Sequence, residues 1–209
     1  MSMINLPLNT IMGTIIKKIR KIDDPDYDKF IFCLEAVPDV EKEYETETVK
    51  SLEHLAIQGI DSIYKTCDTI EGIEESLTTL LYDDHNFKNY EIIYLVMKGE
   101  ENNICLNNYY YSLEEIAELF EGKMRGKIIH FANSKPLDLT NEESQYFLDV
   151  TGAKAISGYG GYTSKVSSSK LDQVFFSLCQ DETDVVQIVE DLHEKHYTIC
   201  KLLDFRLYY

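Results

Sequence analysis

The sequence predicts a three-layer α/β domain on a mostly parallel sheet. Short apolar runs bounded by turn residues alternate with amphipathic helical stretches, and the chain of 209 residues suits one ordinary domain. A hydrophobic fraction of 44%, with 15 Tyr and 9 Phe, describes a chain able to bury a core, which excludes disorder as an overall description.

The elements follow in order. Lys29 to Ala36, KFIFCLEA, is a short apolar run of the kind buried on both faces of a parallel sheet, and is taken as the first strand. The acidic stretch Pro38 to Thr46 reads as a loop. Thr48 to Gln58 has helical periodicity through Val49, Leu52, Leu55 and Ala56 and ends at Gly59. Ser62 to Thr66 is a second strand, and Thr69 opens a helix through Ile73, Leu77 and Leu80 toward Asp83. Tyr90 to Met97, YEIIYLVM, is the most apolar run and marks the centre of the sheet. Ile104 to Leu106 and Tyr109 to Tyr111 form a small hairpin about Asn107-Asn108, residues that tolerate the positive φ of such a turn.

Ser112-Leu113-Glu114-Glu115 is a capping-box signal for a helix through Ile116, Leu119 and Phe120, closing at Gly122. Lys127 to Ala132 is a fourth strand, Asn141 to Thr151 a helix ending at Gly152, and Ala153 to Ser157 a fifth strand broken by Gly158-Tyr159-Gly160-Gly161. Leu171 to Cys179 and Thr183 to His196 are helices, and Phe205 to Tyr209 is a short strand or ordered tail.

Charge and cysteine usage narrow the setting. Twenty Lys and Arg against 37 Asp and Glu give a net charge of -17, which opposes nucleic acid or an anionic membrane as the main partner. The five cysteines are odd in number, widely spaced and without CxxC, which suits a reducing, cytoplasmic setting and no zinc site. His193 and His196, beside Asp191 and Glu194, supply only two imidazoles, so no metal is assigned, and no cofactor is expected. No run reaches about 18 apolar residues, and the N-terminal charges follow the apolar residues, the reverse of a signal peptide.

Residues 1 to 22 stand apart from residues 23 to 209. They carry Lys17, Lys18, Arg20 and Lys21 and no acid, leaving 16 basic against 37 acidic residues in the rest. Leu8, Ile11, Met12, Ile15, Ile16 and Ile19 form one stripe of an amphipathic helix. Such a helix either docks on its own acidic domain or serves as an arm for a partner protein or membrane surface. Asp23-Asp24-Pro25-Asp26 then breaks it.

In parallel α/β sheets functional groups gather at the carboxyl ends of strands, which directs attention to Lys98-Gly99-Glu100 and Asn133-Ser134-Lys135-Pro136. The sequence here resembles the caspase-like cysteine peptidase superfamily, and more closely a group of bacterial caspase-like proteins of similar length. The similarity runs from about Phe30 to Leu178 and includes FCLE (Phe32 to Glu35), YLVMKGE (Tyr94 to Glu100), SLEEIAELFEGKMRGKIIHFANSKPLDL (Ser112 to Leu139) and FLDVTGAKAISGY (Phe147 to Tyr159). The resemblance implies a caspase-like three-layer fold, a His-Gly pair closing the third strand, a Cys presented after the fourth, and backbone N–H groups that bind an oxyanion.

The departures fall on the chemistry. Lys98 stands where the resemblance implies His, and Ser134 stands at or beside the implied Cys, with Gly99 and Asn133 as the remnant oxyanion turns. A serine without a base is a poor nucleophile, so the reading is a pseudopeptidase that binds a protein as scaffold, regulator or decoy. It would use the old cleft, the basic helix, or a sheet edge that could also pair two copies. The first alternative is a hydrolase with a Ser134-Lys98 dyad, which requires a desolvated lysine. The second is a small-molecule or nucleotide sensor without chemistry. Tyr159 and Tyr162 are candidate peptide contacts. His130 is read as a hydrogen-bonded core imidazole, and no cysteine is expected at either strand end, with Cys105 assigned to the hairpin.

Overall fold

Side-chain alternation decides the layers. In β1 (Ile31–Ala36) and β3 (Ile92–Val96) successive residues point to opposite faces. Ile31, Cys33, Ile92 and Tyr94 enter one core, and Phe32, Leu34, Ile93 and Leu95 enter the other. The computed structural model describes residues 31–37, 46–85, 87–132, 137–161 and 167–209. The basic segment 1–22 and its linker lie outside the described residues.

After β1 come α1 (Glu47–Ile57), β2 (Ser62–Cys67) and α2 (Ile70–Thr78), which passes into a π-helical turn over Thr79–Asp83. Then follow β3, a small sheet of β4 (Gly99–Glu100), β5 (Asn103–Leu106) and β6 (Tyr109–Ser112), and α3 (Leu113–Leu119). The chain continues through β7 (Ile128–Ala132), α4 (Asn141–Thr151), β8 (Ala155–Tyr159), α5 (Ser169–Asp181), α6 (Val185–Leu203) and β9 (Phe205–Tyr208). The main sheet has the order β2-β1-β3-β7-β8-β9, parallel throughout except for β9 against β8. Helices α1, α5 and α6 cover one face, and α2, α3 and α4 the other. The three-layer α/β expectation holds, with YEIIYLVM at the centre of the sheet.

Local chemistry explains the helix starts. Thr46 and Thr69 accept from the backbone N–H groups of Val49 and Gly72, and Ser112 and Thr140 form reciprocal capping boxes with Glu115 and Glu143. Several boundaries differ from the sequence reading, and three of them have a clear structural cause. β8 continues through Gly158 and Tyr159 because both pair with β9, at Arg206 and Phe205. α6 continues past a non-helical His196 to Leu203, because Cys200 and Leu203 still face the core. Gly99–Glu100 adds a third strand to the expected hairpin by pairing with Asn103 and Ile104.

Lys127 marks the end of the sheet where the strands begin. Its ammonium donates to the carbonyls of Phe87 and Tyr90 and lies over the Phe87 ring. Burial lowers its pKa to about 8. Among the described residues no helix is long and apolar enough to cross a membrane.

Gly158 sits where β8 meets the chain leaving the β7 loop. A Cβ there would come within 2.9 Å of Leu137 Cδ2 and 3.0 Å of the Phe131 carbonyl oxygen. Gly158→Ala is therefore expected to lower unfolding free energy by about 1–3 kcal/mol, read from the urea midpoint at unchanged slope.

Candidate functional site

The sheet order sets where a ligand would lie. The first five strands follow the doubly wound order in which the chain reverses direction between β1 and β3, and the crevice outside the carboxyl ends of those strands is the usual binding place. A crevice of about 550 Å³ opens there. Its floor is Val96 and Met97, and its walls include Glu35, Lys98, Cys105 and Tyr110.

Glu35 is the penultimate residue of β1 and is buried, with its carboxylate engaged by three hydroxyls. Thr46 and Thr48, at the start of α1, donate to it at 2.9 and 2.8 Å, and the Tyr64 hydroxyl of β2 donates at 2.7 Å. Burial, then the Glu35 hydrogen bond, pushes the Tyr64 phenol upward, so it remains a donor. Glu35 thus ties β1, β2 and α1 together under the crevice.

Lys98 follows β3 and is exposed, whereas Gly99 is buried in β4. The Lys98 carbonyl accepts from the Cys105 N–H at 2.7 Å, which places β5 beside the strand end. Cys105 lies in the hairpin, as expected, but the hairpin itself borders the strand-end crevice. Ile104 and Leu106 point into the core, so the period-2 alternation of β5 turns Cys105 to the crevice side.

The chain on the far side of the β7 loop is clamped. Asn102, at positive φ in the β4–β5 turn, pairs with the backbone of Asp138: its amide donates to the Asp138 carbonyl and its oxygen accepts from the Asp138 N–H, both at 2.8 Å. Arg206 of β9 binds the Asp138 side chain and the Leu137 carbonyl, and the Tyr208 hydroxyl accepts from the Leu139 N–H at 3.1 Å. On the near side, Met97 N–H donates to the Ala132 carbonyl at 3.3 Å. Both flanks of residues 133–136 are thereby fixed. Asn133 and Ser134 themselves lie outside the described residues, as do Tyr162, Lys17, Lys18, Arg20 and Lys21.

A second polar assembly lies beneath α5, within the core. Asp172 is wholly buried and accepts from four side chains: His130 Nε2 at 3.0 Å and the Tyr159 hydroxyl on Oδ1, and the Tyr94 and Ser168 hydroxyls at 2.9 and 3.1 Å on Oδ2. Since a carboxylate only accepts, Nε2 carries a proton, and Nδ1 meets Ser157 Oγ at 2.8 Å. Burial alone would raise the Asp172 carboxyl. The hydrogen bond and attraction of His130, with the Tyr159 and Tyr94 hydroxyls, outweigh burial and hold it below its ordinary value of 3.8. Burial and then the Asp172 charge push Tyr94 and Tyr159 upward, so both stay protonated donors.

Ser157, His130 and Asp172 have the composition of an acyl-transfer triad, but the imidazole nitrogens are exchanged relative to that arrangement and all three residues are 0% exposed. Rings of Tyr94, Tyr159, Phe175, Phe176 and Phe205 enclose the imidazole. The assembly is a core network, as expected for His130. It also corrects the assignment of Tyr159 as a peptide contact: its side chain is 5% exposed and its hydroxyl is spent on Asp172. Among the described residues no group of three metal-ligating side chains occurs. Sequence reasoning missed Asp172, although it is the acid on the face of LDQVFF that also carries Phe175 and Phe176, three and four residues on.

Fold and crevice together define a doubly wound α/β domain with a polar strand-end site. The chain belongs to a family of unknown function, DUF6642, which matches it over residues 28–209. Compared with curated proteins, the chain matches none.

Removing the Asp172 carboxylate leaves four buried donors without a common acceptor. Asp172→Ala is expected to cost about 3–5 kcal/mol in urea unfolding. Because the folded carboxyl lies below its unfolded value, its stabilisation is complete above about pH 4 and is lost as pH falls through the folded value. Urea midpoints measured from neutral to acidic pH should show this acid slope in the native chain and a shallower one in Asp172→Asn.

Proposed function

We propose that this chain is a caspase-like domain lacking a peptidase's thiol and imidazole, and that it serves as a protein-binding scaffold or regulator. A short segment of the partner protein occupies the crevice at the ends of β1 and β3. The observation that carries this reading is Lys98. It stands directly before Gly99, where the resemblance implies His, and it is exposed to water. A lysine that acts as a base for serine is normally desolvated, and among the described residues the buried lysine is Lys127, at the opposite end of the sheet.

The crevice itself favours contact over chemistry. Its volume of about 550 Å³ lies within the common range for binding sites, about 300–1,000 Å³. Apolar Val96 and Met97 line the floor, while Lys98 and the half-exposed Tyr110 offer a charge and an aromatic ring at the rim. Glu35 is held by three hydroxyl donors, which suits a fixed wall better than a group that must exchange protons.

A displayed library of random peptides, panned against the purified chain, is expected to yield binders whose affinity falls about tenfold or more in Lys98→Glu at unchanged Tm. Fluorophosphonate probes and peptide substrates should give no labelling or turnover that depends on Ser134. Cleavage or labelling that disappears in Ser134→Ala overturns the reading, as does a failure to select any peptide sensitive to Lys98.

A further inference from the structure

On the helical layer opposite α5, α2 and α3 leave a groove of about 310 Å³. Leu77, Leu81 and Leu119 form its apolar base, and Tyr82, 65% exposed, stands at its side. Glu74, Glu118 and Glu121 edge it, all exposed and none in an ion pair with a described residue. Among its described lining residues the one cation is Lys123, whose ammonium lies 5.1 Å from the Tyr82 ring centroid.

This groove has the reverse polarity of the first 22 residues. Leu8, Ile11, Met12, Ile15, Ile16 and Ile19 recur at the spacing of one helical face, followed by Lys17, Lys18, Arg20 and Lys21 with no acid. Topology puts the two within reach. Ile31 pairs beside Ile92, and Ile92 beside Ile128, so β1, β3 and β7 begin at one end of the sheet. The π turn after α2 leads toward β3 and the C-terminus of α3 leads toward β7, so the groove opens at the end where β1 starts. The eight residues 23–30 can span up to about 28 Å.

We propose that residues 1–22 pack their apolar stripe into the α2–α3 groove of the same chain, with Lys18 and Arg20, which helical spacing puts on the two flanks of that stripe, answering Glu74, Glu118 and Glu121, and Lys17 and Lys21 on the outer face. Burial of Leu81, Leu119 and the Tyr82 ring supplies the attraction, and the opposed charges fix the orientation. The groove lies away from the strand-end crevice, so this docking stands or falls independently of the proposed function.

Hydrogen exchange of the 209-residue chain, read by mass spectrometry, tests the docking. Amides of residues 8–21 are expected to exchange about tenfold or more slowly than in a free synthetic peptide of residues 1–22, independently of protein concentration. The double variant Glu74→Lys/Glu118→Lys, and separately Ile15→Asp/Ile16→Asp, should return them to the peptide rate. Slow exchange of β3 and β7 in each variant shows that the fold persists. Four results overturn the proposal: peptide-like exchange in the native chain, protection that survives the charge reversal, protection that grows with protein concentration as for a second copy, or protection found only with phosphatidylserine vesicles.

Discussion

The buried Asp172 carboxylate is the constraint on which the arrangement of α5 against the sheet depends. Its partners come from separate elements: Tyr94 from β3, His130 from β7, Tyr159 from β8 and Ser168 from the start of α5. A lone carboxylate in this environment would be neutral or would not be buried, since its desolvation costs several kcal/mol. Four directed donors offset that cost only if the three strands and the helix hold one register. The surrounding aromatic rings fill space without dictating it, because apolar contact has no comparable directionality.

That register reaches the strand ends through short connections. Tyr159 is both a ligand of Asp172 and the last residue of β8, and its carbonyl accepts from the Leu137 N–H at 2.8 Å. Leu137 is in turn held by Arg206, and Asp138 by Asn102 of the small sheet. The same strand that is fixed in the core therefore seats the chain leaving the β7 loop. The polar core and the crevice are mechanically linked while being chemically separate, one dry and fully partnered, the other open to water with an exposed ammonium.

Much of the fold was legible because its signals are local. Apolar runs locate β1, β3 and β7, and Thr69 and Ser112 carry cap signals within three residues of chain, whereas the sequence reading does not single out the caps Thr46 and Thr140. The site was legible in part. Lys98-Gly99 could be placed at a strand end, and His130 could be read as a core imidazole. Its partner could not be identified, because His130 and Asp172 are 42 positions apart and Tyr94 and Asp172 are 78 apart, and no periodicity encodes such pairings. Tyr159 was misread for a related reason: the glycines around it suggest a loop, whereas pairing with β9, formed by the last residues of the chain, keeps it extended and turns its ring inward.

The two lysines show why burial, more than residue identity, separates a reactive amine from a contact residue. Lys127 is enclosed by the carbonyls of Phe87 and Tyr90 and the Phe87 ring, and burial brings its pKa to about 8, yet it sits where the parallel strands begin. Doubly wound sheets place their ligands at the other end. Lys98 stands at that productive end but keeps its hydration, with no ring or carbonyl pair enclosing its ammonium among the described residues. Among the described residues, neither lysine puts a desolvated amine at the crevice. Under the proposed function the exposed Lys98 side chain attracts and orients an incoming chain, a task that needs only charge at a rim.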